Sequence, residues 1–221
     1  MDNKTSDTNP AVVLHQVLGV VSHELRGPLG VARGYLRLLE GQVSADARAV
    51  KTVEQASRAA ARMAALLDEV SEYAQWVRGE HTLSPAPASL RHAMVEAAGA
   101  ASLPTTPQVR VEVDALVDVV APVDTARLVR ALSVLITAVA RAQTEDATIV
   151  AALRPLDHGH AVVRIVPHPL LDAATTERPP ALERAGAGLT IALAALLVQA
   201  HGGHLAERWV GEVWGGYRCW L

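Results

Sequence analysis

The chain has 221 residues, half of them apolar, and a formal net charge of −3. That length allows one large domain or two small ones, and the slight acidity excludes a general nucleic-acid or anionic-membrane binder. Phe is absent and Cys219 is the only cysteine, so the cores are Ala, Leu and Val, and no internal disulfide exists to argue against a reducing cytoplasm.

Met1–Pro10 is a polar lead without a signal-peptide core, and it reads as disordered. A first long helix is predicted from Ala11 to Glu40, ending at Gly41. Apolar or small residues recur in it at Leu14, Leu18, Val21, Leu25, Pro28, Ala32, Tyr35 and Leu39, a heptad seam. His23 falls two places after a seam position, on the face predicted to point to water. Pro28 should bend or loosen the helix just beyond it. A turn at Val43–Asp46 precedes a second helix to about Arg78, with a seam at Ala49, Val53, Ala56, Ala60, Met63, Leu67, Val70, Ala74 and Val77. Two such helices, each roughly 45 Å long, form a hairpin with two apolar stripes. A lone hairpin leaves those stripes wet, so pairing of residues 11–78 into a dimeric four-helix bundle is expected.

Gly79–Ala88, with Pro85 and Pro87, reads as a linker. The elements then shorten. A helix is predicted at Ser89–Ala101 with Ser89 as its cap, a strand at Val109–Val113 and a short apolar run at Leu116–Val120. Asp124–Arg141 reads as helix, and Thr148–Leu153 with His160–Val166 as a strand pair. Gly186–Ala200 reads as helix, followed by closing strands at Gly203–Arg208 and Gly216–Leu221. The fold class is therefore α+β: a helical hairpin followed by a two-layer α/β sandwich over residues 89–221. The longest apolar run, Leu189–Val198, is too short to span a bilayer.

Val21-Ser-His-Glu-Leu-Arg-Gly-Pro-Leu29 resembles the phospho-accepting histidine box of bacterial sensor histidine kinases, departing from its usual form only at Gly27, where the family has Thr or Asn. The second half resembles the ATP-binding domain of the same kinases more faintly. Asp124-Thr-Ala-Arg-Leu-Val-Arg-Ala-Leu matches the start of the asparagine-box helix. Gly186-Ala-Gly-Leu-Thr-Ile, then Gln199-Ala-His-Gly-Gly-His204, resembles the second glycine box and the His-Gly-Gly beyond it.

Against that pattern, the two asparagines fall on Val134 and Ala138, neither of which offers an oxygen to Mg²⁺. The adenine-accepting Asp of the first glycine box is replaced by Pro167, and a Gly by Pro169. Leu170–Ala185, where an ATP lid would lie, is short and contains Pro179 and Pro180. Gly186 and Gly188 are then read as a strand-to-helix turn rather than a phosphate cradle. His201 and His204 lack a third ligand, so no metal is assigned, and Glu207 and Glu212 have no acid/base spacing.

The resemblance implies a histidine phosphotransferase: His23 accepts a phosphoryl group from one receiver-domain aspartate and passes it to another. In this reading Glu24 takes a proton or hydrogen bond from the imidazole. Arg26 either screens the phosphoryl charge or is a solvated helix arginine. No cofactor is expected, since Mg²⁺ would come with the receiver. The implied partners are a second copy of the chain, response-regulator receiver domains and a hybrid histidine kinase as candidate donor, with no nucleic acid and no membrane. Two alternatives stand beside it: a pseudokinase scaffold that binds a receiver or kinase, and an atypical autophosphorylating histidine kinase.

Overall fold

A computed structural model describes residues 10–43, 46–157, 160–181 and 188–221. The chain forms two compact units, Met1–His81 and Thr82–Leu221. The disordered-lead expectation and the Gly186 turn lie largely outside the described residues.

The first unit is a helical hairpin. Helix α1 runs Pro10–Gln42 and helix α2 runs Ala47–Val77. Asp46 caps α2, its carboxylate accepting from the N–H of Arg48 at 2.9 Å and Ala49 at 3.2 Å. Helix α1 is continuous through Pro28, although proline withholds the N–H that the Glu24 carbonyl would otherwise receive.

The two seams behave differently. On α2, Ala60 and Ala74 are buried and Ala49, Val53, Leu67 and Val70 half-buried, whereas Ala56, Met63 and Val77 of the predicted seam are exposed. On α1 the face turned to α2 is another: Ser22 is buried, Leu29, Arg33 and Leu36 are half-buried, and Arg26 and Glu40 bond across to α2. The α1 seam read from sequence is left open, with Val21, Leu25, Tyr35 and Leu39 all exposed. Long polar side chains cover the inter-helix surface with their stems, so the apolar seam is free for another surface.

The second unit is a two-layer sandwich. A six-stranded sheet has the order β2-β4-β5-β8-β7-β6, built from β2 (Val109–Asp114), β4 (Ala147–Pro155), β5 (Ala161–Pro167), β6 (Thr176–Arg178), β7 (His204–Val210) and β8 (Val213–Trp220). The β2–β4 pair is parallel, and the remaining neighbours are antiparallel. Helices α3 (Leu90–Ala100), α4 (Thr125–Arg141) and α5 (Gly188–Ala200) pack on one face. Leu128, Leu132, Leu135, Ile136 and Val139 give α4 a buried stripe at helical spacing. Ser89 caps α3, accepting from His92 N–H at 2.9 Å, and Asp124 caps α4, accepting from Arg127 N–H at 3.2 Å.

Three departures from the sequence reading stand out. Ala86–Ser89, read as linker, is strand β1, paired antiparallel with β3 (Val120–Val123). The second strand of that pair begins at the last residue of the apolar run Leu116–Val120, in which Leu116 and Val117 are exposed. Residues 168–178, in the place of an ATP lid, cross the sheet face opposite the helices and end as edge strand β6. Arg164 Nη1 donates to Leu171 O at 3.1 Å there, and Arg208 reaches Ala173 O and Thr175 Oγ1, each at 3.3 Å. Buried Glu207 adds a tie, accepting the Ala181 N–H at 3.0 Å.

Candidate functional site: the cleft around His23

His23 sits mid-way along α1, exposed, directly after Ser22, whose buried hydroxyl donates to the Leu18 carbonyl at 2.8 Å. One inward hydroxyl and one outward imidazole result from the 100° turn between successive helical residues. His23 lines an open cleft of about 690 Å³ with Gly19, Val20, Glu24, Arg26, Ser71, Gln75, Arg78 and Glu80. All three residues singled out from sequence, His23, Glu24 and Arg26, therefore line one cleft.

Their roles separate on inspection. Glu24 is exposed beside His23, but no hydrogen bond joins the two; adjacent helix positions diverge. Arg26 is engaged with the facing helix, donating from Nε at 3.2 Å and Nη2 at 2.8 Å to one oxygen of Asp68.

The remaining groups come from α2 and the residues after it. Arg78, the C-cap of α2, holds Glu80 side-on: Nε donates to Oε1 at 2.6 Å and Nη2 to Oε2 at 2.8 Å. The hydrogen bonds from Arg78 hold the Glu80 carboxyl below its usual range, and the same pair raises Arg78. Gln75 Oε1 lies 2.8 Å from His81 Nε2. Sequence reading missed Asp68, Ser71, Gln75, Arg78 and Glu80, because only the hairpin register brings them to His23. That register also places Ser71 and Gln75 across from His23. The Ser57 hydroxyl instead donates to Glu40 at 2.6 Å, so Ser57–Leu66 faces the Val31–Leu38 stretch, towards the loop end of the hairpin.

In the sheet unit, Ala138 is buried within α4 and Val134 half-buried. Pro167 ends β5, opposite Ile149 of β4. A cleft of about 590 Å³ at this end of the sheet is lined by Pro167, His168 and Pro169 together with Glu112, Glu145 and Asp146. Three carboxylates and no Lys or Arg line it, a poor lining for a triphosphate. Val134, Ala138 and Pro167, which the resemblance aligns with the metal-ligand and adenine-acceptor positions, offer no side-chain oxygen. His201 is engaged at both nitrogens, with Nδ1 2.7 Å from Leu197 O and Nε2 accepting the Asp124 N–H at 3.1 Å. The turn after it is steric in origin. Gly202 has φ +81°, and a Cβ on Gly203 would stand 2.2 Å from the Trp220 carbonyl oxygen.

Residues 13–79 match the His Kinase A (phospho-acceptor) domain model. No curated protein sequence matches the chain. Among solved structures it is similar to full-length ShkA in complex with AMPPNP, with TM-score 0.63 and 19% identity over 93% of this chain and 44% of that one. It is similar also to the Acinetobacter baumannii histidine kinase AdeS, with TM-score 0.60 and 13% identity over 90% of this chain and 96% of that one. At these identities the likeness is one of fold, and the chain spans less than half the length of ShkA. Among the described residues no helix is long and apolar enough to cross a membrane. Residues 13–79 thus match a His Kinase A phospho-acceptor domain, and the chain as a whole shares its fold with these histidine kinase structures.

Proposed function

We propose that the chain is a histidine phosphotransferase of a two-component phosphorelay, acting through His23 without using ATP. The observation that carries this reading is a contrast. His23 is exposed in an open cleft of a phospho-acceptor hairpin, whereas the positions that would hold Mg-ATP are Val134, buried Ala138, Pro167 and Pro169.

In this mechanism a ring nitrogen of His23 attacks the phosphorus of a receiver's aspartyl phosphate. A P–N bond forms as the P–O bond breaks, and the receiver's carboxylate leaves. The proton on the other ring nitrogen is released to solvent through the open cleft, since Glu24 makes no hydrogen bond to the ring. Return transfer to a second receiver reverses these steps. The chemistry needs proximity and charge neutralisation more than new covalent machinery. Metal, if used, comes with the receiver. The open α1 seam supports a homodimer through residues 11–78, and the exposed Val31 and Leu38, off that seam, supply apolar surface for a receiver.

The autophosphorylating alternative has one observation in its favour, since the similar fold of ShkA was solved with AMPPNP. Calorimetric titration with Mg-ATP separates the two. The phosphotransferase reading predicts no binding tighter than about 1 mM, roughly −4.1 kcal/mol, and saturable binding below that concentration contradicts it.

A further inference from the structure

We propose that Arg78 is the phosphoryl-binding cation of this site, held in reserve by Glu80 and seated against α1 by Gly19; this rests on His23 being the phosphorylated residue. The cleft contains two guanidinium groups. Arg26 directs both of its bonded nitrogens to Asp68. Among the described residues the Arg78 guanidinium bonds Glu80 alone, through Nε and Nη2, and its Nη1 lies against Gly19, 3.0 Å from where a Cβ would stand. Gly19 precedes His23 by four residues, one helical turn and about 6 Å along the axis. Side chains on a helix lean toward its N-terminus, so the His23 ring leans over the turn that Gly19 begins. A phosphoryl group on that ring points to the side where Arg78 presents its free nitrogen.

The exchange is chemically simple. Glu80 holds the guanidinium in the geometry that a phosphate also accepts, two parallel N–H donors to two oxygens. A dianionic phosphoryl group attracts the guanidinium more strongly than one carboxylate does, so Arg78 turns from Glu80 to the phosphate. Glu80 keeps the empty site neutral and competes with the phosphate for Arg78. Gly19 gives the guanidinium room: a Cβ there would crowd the flexible end of Arg78 at 3.0 Å and meet Ala74 Cβ at an ordinary contact distance of 4.0 Å.

The test loads phosphate chemically, with phosphoramidate, so that it does not depend on any relay partner. The phosphorus NMR signal of phospho-His23 is identified by its loss in His23→Ala and tracked against pH. In the unchanged protein Arg78 favours the dianion. Arg78→Gln and Gly19→Val should each raise the titration midpoint, by on the order of half a pH unit after screening. Glu80→Gln, which frees Arg78, should lower it. Transfer from phospho-His23 to a receiver should slow about tenfold in Arg78→Gln, the size of one charge-assisted bond, and not slow in Glu80→Gln. Opposite effects from the two ends of one ion pair are the signature, because a merely structural pair responds alike to loss of either end. Equal midpoints in all four proteins, or shifts of the same sign in Arg78→Gln and Glu80→Gln, overturn the assignment of Arg78. A chemically loaded His23 that no receiver discharges, with the opposite midpoint shifts intact, overturns the relay reading instead.

Discussion

Arg26 on α1 and Asp68 on α2 form a two-donor, one-oxygen bridge beside His23, with Nη2 2.8 Å from Oδ1. It pins the register of the hairpin at the height of the site and removes Arg26 from the groups free to meet a phosphoryl group. Both side chains are substantially exposed, so the bridge adds little to stability. Asp68→Ala should change the unfolding free energy by less than about 1 kcal/mol in urea denaturation. A much larger loss would mean the bridge carries the hairpin.

The two seams predict different failures for two leucines. Leu25 is 47% exposed on the open face of α1, whereas Leu67 is half-buried on the α2 face turned to α1. Leu25→Glu should give a folded monomer by analytical ultracentrifugation and circular dichroism. Leu67→Glu should unfold the hairpin itself, since burying a leucine contributes about 1.5–3 kcal/mol and the charge adds a desolvation cost. A Leu25→Glu protein that remains dimeric removes the α1 seam from the interface.

Arg208 is 1% exposed, and its Nη1, like Nε of neighbouring Arg218, meets no partner among the described residues. Burial, then the charges of Arg218 and Arg164, push its guanidinium down to about 10. Its bonds to the crossing segment are long, at 3.3 Å. A buried cation so weakly compensated is costly, and an apolar replacement of similar volume is often stabilising by about 1–4 kcal/mol. Arg208→Met should hold or raise the denaturation midpoint of the sheet unit. A clear drop would show that the ties to residues 173–175 outweigh the desolvation.

Gly27 faces open space, and a Cβ there meets nothing within 4 Å. Gly27→Thr should therefore fold without repacking. In kinases with Thr or Asn at this place of the motif, the resemblance assigns that side chain to positioning water for dephosphorylating the partner. The variant should raise phosphatase activity toward a phosphorylated receiver above that of the unchanged chain, measured by phosphate release. No gain, in a folded variant, separates this hairpin from that activity.

Much of the fold was legible because it is periodic or local. The helices came from spacing, the cap Ser89 from residue type, and most sheet strands to within a few residues, whereas Asp124, read as the first helical residue, is the cap of α4. The features that stayed hidden depend on partners remote in sequence. Strand β6 has three residues, all exposed, and exists because β7 offers an edge and Arg208 holds the segment before it. Strand β1 hid behind Pro85 and Pro87, since prolines suit a two-stranded ribbon as well as a linker. The polar face of α1 was passed over because an apolar seam lay one position away. Asp68, Arg78 and Glu80 carry no motif of their own, and only the antiparallel return of α2 brings them to His23.

Phosphate on His23 in a relay is the property on which the functional reading stands. The direct measurement incubates the chain with a receiver domain phosphorylated by its own kinase and traces labelled phosphate onto the chain, testing its acid lability. Acid-labile label is expected on the unchanged protein, with onward transfer to a second receiver, and no label on His23→Ala although its oligomeric state is unchanged. Failure of several cognate receivers to exchange phosphate with a folded chain, or label that persists in His23→Ala, contradicts the relay and leaves the scaffold reading as the better one.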